Sequence, residues 1–220
     1  MHLDRRRPLP ARGRAKHAPS TTVPASAALL LVDVVNPFDF EGSDRLLSNA
    51  LPIARNIGAL KRRARRARLP IVYVNDNFGE WRRGLTELVA RCTRPDAPGR
   101  AFVEQLLPRP DDYYVLKPRH SGFHSTSLEA LLDRLGVRWV VLAGIATHIC
   151  VQFTAIDAYM LGLGVIVPSD CVAAEEPRQT ANALEHMAGV LKAAVAPSRS
   201  LRFTTRRRAA SPPLDGPIRP

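Results

Sequence analysis

Continuous apolar runs alternate along this chain with segments whose apolar residues recur every three or four positions. Five runs read as strands buried on both faces: Ala27–Val35, interrupted only by Asp33, then Ile71–Val74, Tyr113–Lys117, Val137–Ala143 and Val165–Pro168. Between them the period is helical. Leu51–Arg68 places Ile53, Ile57 and Leu60 on one face and crowds its end with Arg and Lys, which suits a helix C-terminus. Pro70 stops it. A helix follows over Gly84–Cys92, and Thr93–Arg100 reads as a surface loop. Thr126 with Glu129 forms a capping box for a helix faced by Leu128, Leu131, Leu132 and Leu135. Ile149, Phe153, Ile156 and Met160 predict a helix directly after the fourth strand, Pro177–Val190 a last helix, and Ala193–Ala196 an edge strand. This alternation predicts an α/β fold: a three-layer, doubly wound, mostly parallel sheet of Rossmann-like topology with helices on both faces. No Gly-x-Gly-x-x-Gly or phosphate-binding loop follows the first strand, so no nucleotide cofactor is expected.

Composition narrows the class. Of the 220 residues, 45% are hydrophobic, ordinary for a globular domain, and no apolar run approaches a membrane span. Three cysteines (Cys92, Cys150 and Cys171) are too few for a disulfide framework and lack zinc spacing, so a reducing cytoplasm is the expected location. The net charge of +12 resembles a nucleic-acid signature, but its distribution does not. Residues 21–198 carry 20 Lys and Arg against 18 Asp and Glu, a net of +2; the other +10 lies in the two ends. The expected organisation is a disordered basic tail over 1–22, one domain over 23–197 and a second disordered basic tail over 198–220. No secretory signal is read at the N-terminus. Solvated tails without a specific nucleic-acid partner are expected, with no membrane association; a binding protein whose tails attract nucleic acid is the non-enzymatic alternative.

Three side chains stand where chemistry is done in such folds, beyond the carboxyl ends of the strands. Asp33 ends the first strand, Lys117 ends the third, and Cys150 lies in the first turn of the helix after the fourth. Each also has a plain structural reading: a turn aspartate, a lysine reaching for solvent, a small buried thiol. If strands one, three and four are neighbours, the three meet in one crevice. Lys117 would then favour the thiolate, Asp33 would exchange a proton, and backbone N–H groups at Ala146 and Cys150 would hold an oxyanion. The loops at the same end supply candidate pocket walls: Asn75, Asn77, Phe78 and Trp81 after the second strand, His120 and Phe123 after the third, and His148 beside the cysteine.

With these motifs in place, the chain resembles the isochorismatase-like cysteine hydrolases from about Ala27 to Lys192. The resemblance rests on Leu-Leu-Leu-Val-Asp33-Val-Val-Asn-Pro-Phe, Leu-Lys117-Pro-Arg-His-Ser-Gly-Phe-His-Ser-Thr-Ser-Leu, Gly-Ile145-Ala146-Thr-His-Ile-Cys150-Val with Thr154-Ala-x-Asp157-Ala, and Pro168-Ser-Asp170-Cys171-Val-Ala. It implies an Asp33–Lys117–Cys150 triad, a cis peptide between Ile145 and Ala146 that aims the Ala146 N–H into an oxyanion hole, and a homo-oligomer. It does not extend to the Asp-x-His metal motif of the family's nicotinamidases: here that stretch reads Asp76-Asn77-Phe78, and His120, His124 and His148 lie in other loops. The expectation is a metal-independent hydrolase with no cofactor, cleaving a C–N bond of a small amide, ureido or carbamoyl compound through a thioester on Cys150. The enzymatic alternative is an isochorismatase-type vinyl-ether hydrolase with Asp33 as its acid. Pro37 stands where an acid often follows Asn36 in the family, which reshapes the pocket lip.

Overall fold

In the computed structural model, residues 21–82 and 84–206 are described. Elements follow in the order β1 (Thr22–Val23), β2 (Ala27–Val32), α1 (Ser43–Arg66), β3 (Ile71–Asp76), α2 (Leu85–Cys92), α3 (Arg100–Val103), β4 (Tyr113–Lys117), α4 (Leu128–Arg134) and β5 (Trp139–Ile145). After one wide π turn at Thr147–Val151 come α5 (Gln152–Met160), β6 (Gly164–Pro168), β7 (Val172–Ala173), α6 (Pro177–Gly189), β8 (Ala194–Ala196) and β9 (Arg202–Phe203). The main sheet is parallel throughout, in the order β4-β3-β2-β5-β6-β8, with β7 pairing on β5. β2 therefore sits centrally, and every one of its six residues is buried. Leu29 and Leu31 pack under α1, α2 and α3, whereas Ala28, Leu30 and Val32 pack under α4, α5 and α6. A strand covered on both faces needs an unbroken apolar run, which is why this stretch carries no alternation.

The direction in which the chain winds across the sheet reverses between β2 and β5. From β2 the chain winds outward through β3 to β4, then returns to β5 and winds the other way. Side-chain crevices open at such a switch point, and Asp33 and the Cys150 turn flank it. One expectation about order fails: the strand bearing Lys117 does not neighbour β2. β3 lies between them, with Asp76 in register beside Lys117.

Several boundaries differ from the pattern reading. α1 begins at Ser43 rather than Leu51 and runs through Pro52. Proline reads as a first-turn residue, but Leu46, Ala50, Ala54 and Ile57 continue one buried stripe across it, and packing outweighs the local penalty. The expected loop over 93–100 is present through residue 99, and α3 and a 3-10 turn, Glu104–Leu106, which the pattern did not announce, follow it and bury Phe102, Val103 and Leu106. α5 buries Thr154, Ala155 and Ala158 more fully than the predicted stripe, of which Ile149 and Ile156 are half-buried against the core while Phe153 is 48% and Met160 76% exposed. Small residues let the helix approach the sheet closely, and the larger ones face outward. The C-terminal segment is not a tail from residue 198. Ser198 and Leu201 are buried, β9 pairs with β1, and Asp170 accepts bonds from the Ser198 N–H and hydroxyl at 2.6 and 2.9 Å. The remainder of the two expected basic tails, 1–20 and 207–220, lies outside the described residues.

Candidate active site

The carboxyl ends of β2, β3, β4 and β5 bring four reactive side chains together. Lys117 closes β4 with no solvent exposure. Its Nζ lies 2.9 Å from Asp33 Oδ2, 3.4 Å from Asp76 Oδ2 and 3.5 Å from Cys150 Sγ. A lysine stem long enough to pass β3 makes this possible, so the three expected residues meet although their strands are not all adjacent. Asp33 is 4% exposed and has a left-handed backbone, φ 51°, where β2 gives way to the next loop. Its Oδ1 accepts the Asp76 N–H at 2.7 Å.

Cys150 is presented differently from the expectation. It is the fourth residue of the π turn Thr147–Val151, not a first-turn residue of an α-helix. The Ile145–Ala146 peptide immediately before this turn is cis. Thr154 ties the segment down: its hydroxyl donates to the Cys150 carbonyl at 2.6 Å and accepts the Gly122 N–H at 3.0 Å. Ser121 donates to Asp157 Oδ2 at 2.5 Å. The loop that follows Lys117 is thus fastened to the helix that follows Cys150, which fixes lysine and thiol relative to one another. Gly122 leaves room for this contact, since a Cβ there would stand 2.6 Å from Val74 Cγ1.

The electrostatics follow from burial. Loss of solvent raises the Asp33 carboxyl above its usual range, opposed first by the Lys117 ammonium and then by hydrogen bonds from Cys150, Lys117 and the Asp76 N–H. Burial alone would lower Lys117, but Asp33, Cys150 and Asp76 outweigh it, and the ammonium is held above the ordinary lysine range. For Cys150, burial and then the Asp33 carboxylate push the thiol up, and Lys117 offsets only part of the rise. Lys117 thus favours the thiolate, in the expected direction, while burial and the Asp33 carboxylate oppose it, because a second negative charge beside Asp33 away from water is costly. Cys92 and Cys171 are also pushed up, to about 12, chiefly by burial.

The proposed pocket walls divide. Asn77 and Phe78 are half-buried on the loop after β3, where the Asn77 N–H donates to the Lys117 carbonyl at 3.1 Å. Phe123 is half-buried and packs on the α4–α5 core. Asn75 is fully buried, and its Nδ2 donates to the Val35 carbonyl at 2.7 Å, so it braces the Asp33 loop from behind rather than facing an open pocket. Trp81 is 77% exposed and makes no hydrogen bond or ring contact among the described residues. His120 is exposed and packs its ring on Phe153 at 5.7 Å. His148 turns toward Glu175, with 3.7 Å between Nδ1 and Oε2. Among the described residues no three His, Cys, Asp or Glu side chains converge to hold a metal ion. The residue that sequence reasoning missed is Asp76. It closes β3 two residues beyond the apolar run Ile71–Val74, at the same end of the sheet as Asp33, and that position is the signal that could have found it.

Comparison with known proteins agrees with this geometry. The isochorismatase domain model matches residues 27–199. An uncharacterized isochorismatase family protein of Bacillus subtilis is 37% identical over 171 residues, 78% of this chain and 93% of that protein. The ureidoacrylate amidohydrolase RutB of Agrobacterium fabrum is 29% identical over 173 residues, 67% of this chain and 75% of that protein. The crystal structure of N-carbamoylsarcosine amidase from Thermoplasma acidophilum aligns with a TM-score of 0.59 and 30% identity, covering 78% of this chain and 96% of that one. With its fold, its switch-point cluster and its sequence in agreement, the chain belongs to the isochorismatase family and is a hydrolase of that family.

Proposed function

We propose that this hydrolase cleaves a C–N bond of a small carboxamide, ureido or carbamoyl compound, with Cys150 as nucleophile, Asp33 as general base and acid, and Lys117 as the cation that keeps Asp33 ionised. The observation that carries the reading is the placement of the fully buried Lys117 Nζ, 2.9 Å from Asp33 and 3.5 Å from Cys150. Relatives named for ureidoacrylate and N-carbamoylsarcosine support the substrate class.

The cysteine rests as a thiol hydrogen-bonded to Asp33. As the Sγ–carbon bond forms, the thiol proton passes to Asp33, whose raised pKa makes it a stronger base than an exposed carboxylate. The carbonyl oxygen takes up negative charge, and N–H groups of Ala146 and Cys150 are its proposed donors. Collapse breaks the carbon–nitrogen bond, and the proton held by Asp33 leaves with ammonia or the amine. Water then attacks the thioester and gives one proton back to Asp33. Release of the acid returns a proton to sulfur.

Cys150→Ala against a panel of primary amides, ureas and carbamoyl amines, read as ammonia release, tests this. Loss of turnover by about a thousandfold or more is expected, as for other enzymes stripped of their nucleophile. Undiminished ammonia release would sink the covalent reading and favour direct attack of water with Asp33 as base; no ammonia release from any compound of the panel, by either protein, would favour acid chemistry by Asp33 of the vinyl-ether type.

A further inference from the structure

Asp76 has no part in the mechanism above, yet it is the member of the cluster that faces open space. Asp33 and Lys117 side chains are 6% and 0% exposed; that of Asp76 is 30% exposed. Its two oxygens are not equivalent. Oδ1 is engaged by the Phe78 N–H at 2.7 Å, which fixes the carboxylate's orientation. Oδ2 lies 3.4 Å from Lys117 Nζ, longer than the roughly 2.7–2.9 Å of a strong charge-assisted bond. Lys117 has its short contact with Asp33 instead. Oδ2 therefore keeps acceptor capacity directed at the site.

Its distance from the nucleophile suits a substrate atom. Asp76 Oδ2 and Cys150 Sγ both lie within 3.5 Å of the same nitrogen, so they are at most about 7 Å apart. A carbonyl carbon poised about 3–3.5 Å from sulfur carries its nitrogen one bond of about 1.33 Å farther. A separation of this size leaves room for that nitrogen to come within hydrogen-bond reach of Oδ2 when the C–N bond is turned toward it. The charge points the same way: two carboxylates, one ammonium and a neutral thiol leave the cluster short of positive charge, which favours an N–H donor and disfavours an anion or a bare acceptor.

We propose that Asp76 is the specificity-determining residue of the site: its carboxylate accepts a hydrogen bond from the N–H of the group carrying the scissile bond, so the site takes carboxamides and ureas bearing a free N–H in preference to esters. This rests on the amidohydrolase reading but is tested without turnover.

The test uses two alkylating probes of similar size, bromoacetamide, which carries N–H groups, and methyl bromoacetate, which carries none. Their rates on Cys150 are followed by intact mass and peptide mapping, each divided by its rate on glutathione, with buried Cys92 and Cys171 as internal references. In the full-length protein the amide probe is expected to be favoured by about tenfold or more, the worth of one hydrogen bond to a charged group. Asp76→Ala should abolish that preference, and Asp76→Asn, which keeps the size and a weaker acceptor, should leave an intermediate one. A purely positioning role would slow both probes together and leave the ratio unchanged. An unchanged ratio in both variants, no preference in the unaltered protein, or a Cys150 that neither probe reaches overturns the proposal. Failure of the amidohydrolase reading shows separately, as no ammonia release from any amide, urea or carbamoyl amine by the unaltered protein.

Discussion

Lys117 is held between two carboxylates and a thiol without any solvent exposure, and its ammonium favours the ionised form of Asp33 and of Cys150. Removing one member of a buried ion pair strands the other. Lys117→Met should cost about 3–5 kcal/mol in urea denaturation, and adding Asp33→Asn should restore part of that loss; two independent, additive penalties would contradict the pairing. The thiol makes a second prediction. Because burial and Asp33 raise the Cys150 pKa, its thiolate fraction at neutral pH is below that of a free cysteine, whose pKa is about 8.5. Its reaction with iodoacetamide should be slow at pH 7 and should keep climbing with pH above 9. A rate already at its plateau below pH 8 would show a resting thiolate and refute this ordering. Here the sequence was readable only in part. The residue types of Asp33, Lys117 and Cys150 announce the cluster, but the sign of the thiol's shift depends on how dry the site is and on the carboxylate beside it, and neither depth nor distance is written in a motif.

At the scale of elements, close approach decides more than hydrophobic period does. Gly144 has φ 127°, and a Cβ there would stand 1.9 Å from the Val32 carbonyl oxygen. This glycine lets β5 lie against β2 just before the turn that presents Cys150. Gly144→Ala should destabilise by about 3 kcal/mol or more, combining backbone strain with overpacking; a fully stable variant with unaltered denaturation would contradict that role. α5 shows why the strands were legible and this helix face was not. A strand buried on both sides needs apolar residues throughout, so its run is unambiguous. On α5 two stripes share helical spacing, Phe153-Ile156-Met160 and Val151-Thr154-Ala155-Ala158, and the sheet takes the smaller side chains. Met160→Ser should therefore change stability by no more than about 0.5 kcal/mol, whereas Ala158→Leu should cost about 1–3 kcal/mol. The reverse ranking in thermal or urea unfolding would restore the stripe that size alone suggests. Strand order was equally hidden: nothing in the pattern places β3 between β2 and β4, and that insertion is what brings Asp76 into the site.

Across the whole molecule, charge and chemistry are separated. Residues 21–198 are nearly neutral, at +2, and most of the net +12 belongs to the two ends. The C-terminal segment through Arg206 is tied into the domain: Arg63 donates to the Ser198 and Leu201 carbonyls, and the Arg206 N–H donates to the Ala67 carbonyl at 2.9 Å. Composition alone had assigned residues 198–206 to a tail, because two short strands and one half-buried aspartate leave no periodic signal. No helix among the described residues is long and apolar enough to cross a membrane. A chain trimmed to residues 21–206 should hydrolyse its substrate as the full chain does and lose only retention on heparin; loss of turnover on trimming would give the ends a part in catalysis. The central claim is that an acyl group passes through the cysteine. Acid-quenching the enzyme during turnover of an amide or ureido substrate and mapping the intact mass tests it most directly. The account predicts an adduct equal to the acyl or carbamoyl fragment on the peptide bearing Cys150, absent from Cys150→Ala. Steady hydrolysis with Cys150 unmodified at every quench time, and equally fast in that variant, would contradict it.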